Sequence, residues 1–183
     1  LDIVLVRHYC TPEETGLYSV GAILGRVAFS LPSTLLTVLF PSTAKTHAIG
    51  EENKYIFWVS FGLTGLFGGG VALLFFFWPE QIIGLLFGIK YQEAAPLLQT
   101  IGIAMATLAS VNVIFSYQLA RSEYSYLWVL SGGLILMLVL ILFFHDTAMA
   151  IAKNLLFSTG IILLGTLVSF IPKFRHTSHG NNI

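Results

Sequence analysis

The feature that most constrains this chain is a succession of apolar runs, each near the length that crosses a bilayer. Residues 55–78, 94–120, 124–144 and 148–171 contain one charged side chain among them, Lys153. At about 1.5 Å of rise per residue, about twenty helical residues cross about 30 Å of hydrocarbon. In that layer no water satisfies the peptide groups, so each run is predicted to be helical.

Composition gives the same answer. Hydrophobic residues make up 56% of the 183 residues and charged residues 10%. Mean hydropathy is +0.83. A soluble domain carries about 25% charge, so this chain has too little to cover a water-facing surface. The formal net charge is zero, and no basic footprint for nucleic acid is present. The single cysteine, Cys10, excludes an intrachain disulfide and a cysteine metal cluster. The chain opens at Leu1 without a Met or a charged leader, and reads as a piece of a longer protein.

Residues 1–6 are apolar but too short to span, and read as the end of a helix. Thr11-Pro12-Glu13-Glu14 follows. Thr suits an N-cap, Pro the first helical position, and Glu three residues after Thr completes a capping box. A helix is predicted from there to about Phe40, stopping before Pro41. After a polar loop over 42–54 comes the run 55–78, ended by Pro79. "PEQIIGLLFGIKY" is short and amphipathic and suits the membrane interface. Tight turns at 121–123 and 145–146 separate the last three runs. The expected fold is an all-α polytopic membrane bundle of five whole transmembrane helices plus the end of a sixth. Residues 1–172 form its transmembrane lobe and 173–183 a polar, frayed tail.

Basic residues orient the bundle. Lys45, Lys54, Arg121, Lys173 and Arg175 fall on one side, against Arg7 and Lys90 on the other. The bias puts the tail in the cytoplasm and Cys10 outside.

Within "VGAILGRVAFSLPS", Arg26 interrupts an apolar helix. At the centre of a bilayer such a charge costs at least about 2.5–3.5 kcal/mol unless it faces a cavity or a partner. Ser19, Ala22, Arg26, Ser30, Ser33 and Thr37 recur every three or four residues and so share a face. Val20, Ile23, Leu24, Val27 and Leu31 occupy the others. Arg26 and Ser30 are therefore candidate substrate-binding residues, because guanidinium donates two parallel hydrogen bonds to a phosphate. The competing reading is a structural ion pair, and no carboxylate is expected at the same depth. Pro32 is expected to kink the helix just beyond.

Lys153, near the outer end of the last run, is the third candidate. Either its stem snorkels to the headgroups or its ammonium serves the substrate. Gln99, Ser110, Asn112, Ser116 and Gln118, and the pair Asn154 and Ser158, suit hydrogen bonds between helices. Gly62, Gly65 and Gly69 suit close helix packing, and Gly68-Gly69-Gly70 suits bending. The five histidines are dispersed, and no nucleophile elbow, phosphate loop or dinucleotide signature occurs. No catalytic, cofactor-binding or metal residue is assigned, and an enzyme is not expected.

These residues also form a pattern. "PEETGLYSVGAILGRVAFSLPSTLLTVLFP" resembles the start of the C-terminal half of polysaccharide-type flippases of the multidrug/oligosaccharidyl-lipid/polysaccharide exporter superfamily. The matching positions are Pro12, Gly16-Leu17-Tyr18, Gly25-Arg26 and Leu39-Phe40-Pro41. "WPEQIIGLLFGIKYQEAAPLLQTIGIAM" and "YQLARSE" resemble later segments of the family, so the likeness covers nearly the whole chain. It implies one lobe of a two-lobe transporter that moves polyprenyl-diphosphate-linked oligosaccharide across the bacterial inner membrane for polysaccharide biosynthesis. Its partners would be membrane lipid, that substrate, and a missing N-terminal lobe from the same or another chain. Arg26 matches a motif position of the family and would hold the diphosphate. Without the other lobe, one lobe cannot alternate access. The alternatives are a drug/cation antiporter of the same superfamily, whose site would favour carboxylates, and a non-transporting membrane scaffold in a polysaccharide assembly complex.

Overall fold

The computed structural model describes the backbone of residues 2–48, 54–120 and 126–176, and side chains over 2–34, 57–119 and 127–169. Every regular element among the described residues is helical: α1 (Asp2–Tyr9), α2 (Pro12–Ala48), α3 (Lys54–Phe77), α4 (Pro79–Leu86), a 3-10 turn (Ile89–Ala94), α5 (Ala95–Ala120), α6 (Tyr126–Phe143) and α7 (Ala148–His176).

α2 starts as its sequence dictates. The Glu14 N–H donates to Thr11 Oγ1, and the Thr11 N–H donates back to Glu14 Oε2, each at 3.3 Å. That is the reciprocal capping box. Its end departs from expectation, because α2 runs on through Pro41 to Ala48. α7 likewise continues through Pro172 to His176 rather than stopping at 171. A proline removes one backbone bond and crowds the preceding turn. Continuing costs that one bond and some crowding, whereas ending the helix there would leave the carbonyls of its last turn without helical partners. Helix α2 is also unbroken at Pro32. There Ser33 and Thr34 donate to the carbonyls of Phe29 and Ser30, at 2.7 and 2.9 Å. The predicted turn at 121–123 and the tail beyond 176 lie outside the described residues.

α5 is the central element, with α2, α3 and α7 packed around it, while α6 leans on α7 and α1 on α2. Glycines set the closest approach. A Cβ on Gly25 would stand 2.7 Å from Ile101 Cγ2, and one on Gly21 would stand 3.3 Å from the backbone of Leu98. The α2 backbone therefore lies directly on α5, the device small residues provide between membrane helices. Gly68 does the same for α3, its missing Cβ falling 3.2 Å from both Ala28 O and Pro32 Cγ on α2. Ala28 O is the carbonyl that Pro32 leaves without its helical donor. On α6, the Ile162 side chain of α7 occupies the place of a Gly133 Cβ. By contrast, Gly62, Gly65 and Gly69 meet nothing within 4 Å. The close packing expected of that stripe is made by Gly68 instead. Gly65, Gly69 and Gly70 floor an open groove of about 660 Å³ against Ile103, Ala106 and Thr107 of α5.

The larger core joins Val6, Tyr18, Leu24, Ile83, Leu98, Ile101, Ile141 and Ile151. A second cluster, Phe57, Val113, Ile114 and Tyr117, closes the other end of α3 and α5. Polar side chains stitch helix ends. Gln99 Nε2 donates to Phe76 O at 2.9 Å, and Asn154 Nδ2 donates to Phe144 O at 2.9 Å. Between α2 and α5, Asn112 Nδ2 donates to Ser33 Oγ at 3.4 Å. Among the described residues, the expected interhelical bonds are not made by Gln118 and Ser158, which are buried with no partner there for their side-chain polar atoms.

Among the described residues, three helical segments are long and apolar enough to cross a membrane: Phe57–Phe77, Ile89–Leu119 and Ala148–Ser169. Leu127–Phe143 is apolar but shorter. α2 is 37 residues long, yet Glu13, Glu14, Arg26 and the Ser/Thr positions dilute its described part. The exposed surface of α3 carries Leu66, Phe67, Leu73, Leu74, Phe76 and Phe77, an apolar expanse that suits hydrocarbon and not water. This is a helical membrane-protein architecture.

Gly25→Val is expected to cost about 1–3 kcal/mol, because overpacking wedges α2 from α5. Gly62→Ala should leave stability within about 0.5 kcal/mol, since nothing opposes its Cβ. The midpoint of denaturant unfolding in detergent, followed by helicity, measures both.

Candidate functional site

Arg26 lies on α2 with 54% of its side chain exposed. Its neighbours on that surface are Ile23, Val27 and Leu31, all exposed. Ser30, one turn further, is exposed as well and donates to Val27 O at 3.4 Å. The predicted polar stripe is divided by packing. Ala22 is fully buried and Ser33 turns towards Asn112 of α5. Arg26 and Ser30 remain on the open side. The side chain of Thr37 lies outside the described residues.

The ion-pair reading gains a partner that the sequence did not suggest. Asp2 Oδ1 stands 3.8 Å from Arg26 Nη2. The Tyr18 hydroxyl donates to Asp2 Oδ2 at 3.4 Å. Tyr18 is fully buried and Asp2 nearly so. Counted along the two helices from the turn at Cys10, Arg26 lies about 10 Å deeper than Asp2. Helical side chains lean towards the helix N-terminus, so the long Arg26 side chain climbs α2 towards α1 and closes that gap. The chain had no carboxylate at the depth of the Arg26 backbone, but it has one at the depth its guanidinium reaches.

A separation of 3.8 Å is an ionic contact, too long for a hydrogen bond. Guanidinium has five donors in a planar fork, and Asp2 engages one side of it. The open side is free to take a phosphate in the bidentate manner. Asp2 meanwhile supplies a counter-charge to a cation flanked by Ile23, Val27 and Leu31.

Lys153 is exposed on α7, six residues into the helix. Helices α2 and α7 touch only sparsely. Nothing in the described geometry joins Lys153 to Arg26, and its place suits a stem reaching the headgroup layer. Among the described residues, no three His, Cys, Asp or Glu side chains gather to hold a metal ion.

Above Arg26, near the turn between α1 and α2, is a hollow of about 480 Å³ lined by Ile3, Arg7, Cys10, Pro12, Thr15, Gly16 and Ser19. Burial pushes the Cys10 thiol up from its ordinary range, and the negative charge of Glu14 adds to the shift. At the C-terminal end of α1, the Tyr9 and His145 rings meet at a 39° tilt with centroids 4.3 Å apart, fastening α1 to the turn between α6 and α7. Sequence reasoning singled out neither the hollow nor Asp2. The only signal for them was Tyr18, a polar-tipped side chain placed on the apolar side of an amphipathic helix.

Compared with known protein families, with curated proteins and with solved structures, the chain matches none.

Cys10 is expected to react slowly with alkylating reagents at neutral pH, because the thiolate is the nucleophile and its pKa is raised. The rate should keep rising above pH 9.0, the ordinary thiol value, where a free thiol has begun to level off. A pH profile of iodoacetamide modification, read by mass spectrometry, checks this.

Proposed function

We propose that this chain is one lobe of a transporter that moves lipid-linked oligosaccharide across a membrane, with Arg26 as the site that takes the substrate's diphosphate. The observation that carries the reading is a half-exposed guanidinium on a membrane-bundle helix, held loosely on one side by Asp2. A cation in that setting faces a partner or a wet cavity. The resemblance of residues 12–41 to a flippase motif supplies the substrate class: polyprenyl-diphosphate-linked oligosaccharide. Ser30 flanks the site and Lys153 stands apart near the outer boundary.

In this reading all five long helical runs, α2 included, cross the bacterial inner membrane, and the C-terminus is cytoplasmic. A second lobe covers the open face of α2, and the headgroup lies between the lobes while the lipid tail stays in hydrocarbon. Rocking of the lobes then exposes the headgroup to the other side. When the diphosphate binds, its charge competes with Asp2 for the guanidinium. The looseness of the 3.8 Å contact makes that exchange cheap.

Asp2 also gives the antiporter alternative its one favourable observation, a buried carboxylate beside the site. Arg26 neutralises it, so an organic cation would meet no net negative charge there.

Arg26→Gln in the transporter containing both lobes should reduce headgroup transfer at least about tenfold, the loss of one charge-assisted hydrogen bond or more. Arg26→Lys should recover only part, since an ammonium lacks the planar fork. Transfer is measured in inverted vesicles with labelled polyprenyl-diphosphate oligosaccharide, and membrane insertion by fractionation. Undiminished transfer by Arg26→Gln would sink the assignment, and resistance to organic cations that depends on Asp2 would favour the antiporter.

A further inference from the structure

The hollow between α1 and the first turns of α2 has a chemistry of its own. Its one charged lining residue is Arg7, which is exposed. Arg7 has no ion pair among the described residues, in contrast to Arg26. Two hydroxyl residues, Thr15 and Ser19, line the hollow with it. Thr15 Oγ1 donates to Thr11 O at 2.8 Å and Ser19 Oγ donates to Thr15 O at 2.7 Å. Their protons are committed to the helix, so the oxygens can serve a ligand only as acceptors. Gly16 lies between them with nothing within 4 Å of its missing Cβ, which leaves the wall open to a flat ligand. Ile3 and Pro12 add carbon surface.

A guanidinium, two acceptor oxygens, a glycine and some carbon make a poor site for a bare phosphate, because the hydroxyls offer it no proton. They make a good one for a ring that carries hydroxyl donors, apolar C–H faces and one anionic group. The rim reinforces this. Glu14 Oε2 is held by the Thr11 N–H and hydroxyl, so a fixed negative charge stands beside the opening. It disfavours a second anionic group within the hollow itself and leaves room there for a single anion directed at Arg7.

Position links the hollow to Arg26. Thr15, Ser19 and Arg26 lie on one line of α2, eleven and seven residues apart from Arg26. The Ser19 backbone is therefore about 10 Å from that of Arg26 along the helix axis, and the Arg26 side chain climbs most of that distance to meet Asp2, which brings its guanidinium close to the level of Ser19. A sugar joined to a phosphate held by that guanidinium therefore borders the hollow that Ser19 lines.

We infer that this hollow is a subsite for an anionic sugar, such as a uronic acid, near the phosphates of the oligosaccharide. Arg7 pairs with its carboxylate, and Thr15 and Ser19 accept from its hydroxyls. The inference rests on reading Arg26 as the diphosphate site, and it assigns Arg7 a part in sugar selection.

Cys10, the single cysteine of the chain, lines the hollow and reports its occupancy. The purified full chain in detergent is treated with N-ethylmaleimide, with glucuronic acid 1-phosphate or glucose 1-phosphate present. Both probes carry one phosphate, and only the first carries a carboxylate. The expected result is that glucuronic acid 1-phosphate slows Cys10 alkylation, and that glucose 1-phosphate needs about tenfold higher concentration for the same effect. Arg7→Gln should abolish the difference, Arg7→Lys should retain part of it, and both should keep the wild-type helicity and pyrophosphate binding. Equal protection by the two sugars, absent protection, or a difference unchanged in Arg7→Gln overturns the subsite. Pyrophosphate binding, measured by calorimetry in wild type and Arg26→Gln, is the separate test of the diphosphate reading. If it fails while Arg7-dependent protection holds, the sugar site stands without the transport assignment.

Discussion

The arrangement of this bundle depends on how closely α2 lies on α5. Gly21 and Gly25 remove the side chains that would hold the two backbones apart, and Ile101 fills the space they vacate. α5 can then be the central post, with α3 and α7 on its remaining sides. Between helices in hydrocarbon there is no hydrophobic drive to association, so such close contact supplies much of the cohesion. Burying one side of α2 this way leaves Ile23, Arg26, Val27 and Ser30 on the other. The face that carries the cation is free because the opposite face is so fully engaged.

The guanidinium sits where two demands meet. An apolar layer requires that a charge be met by something, and a binding site requires that it not be met too well. Under the proposed function, Asp2 at 3.8 Å satisfies the first without defeating the second. Tyr18 in turn holds the carboxylate from its other oxygen. The short α1 thus has a purpose beyond filling space. It brings a carboxylate to Arg26 and a second guanidinium, Arg7, to the hollow nearer the turn. Fastening of its C-terminal end through Tyr9 and His145 keeps both in register with α2.

Much of this could be read in the chain before any coordinates. The capping box at Thr11 and Glu14 forms as its spacing required, because it involves only neighbouring residues. Three of the apolar runs become helices of spanning length for the same local reason. The errors arise where an environment overrides a local rule. A helix was expected to stop before Pro41 and the last run to end at 171, and instead both helices pass through their prolines. The stripe of Gly62, Gly65 and Gly69 was expected to pack. Rotation of α3 gave that role to Gly68 and left Gly65 and Gly69 facing a groove.

What the sequence alone determined is the class of molecule and the presence of a charge that demands explanation. Apolar run length and scarcity of charge are properties of the chain, independent of how the helices meet. Only the tertiary structure decided what Arg26 touches. Asp2 is far from it in sequence and about 10 Å from it in backbone depth, and their meeting depends on α1 folding back along α2 and on the direction in which a helical side chain leans. The same fold-back created the Arg7 hollow, whose lining residues belong to two helices and have no common spacing for a pattern to reveal.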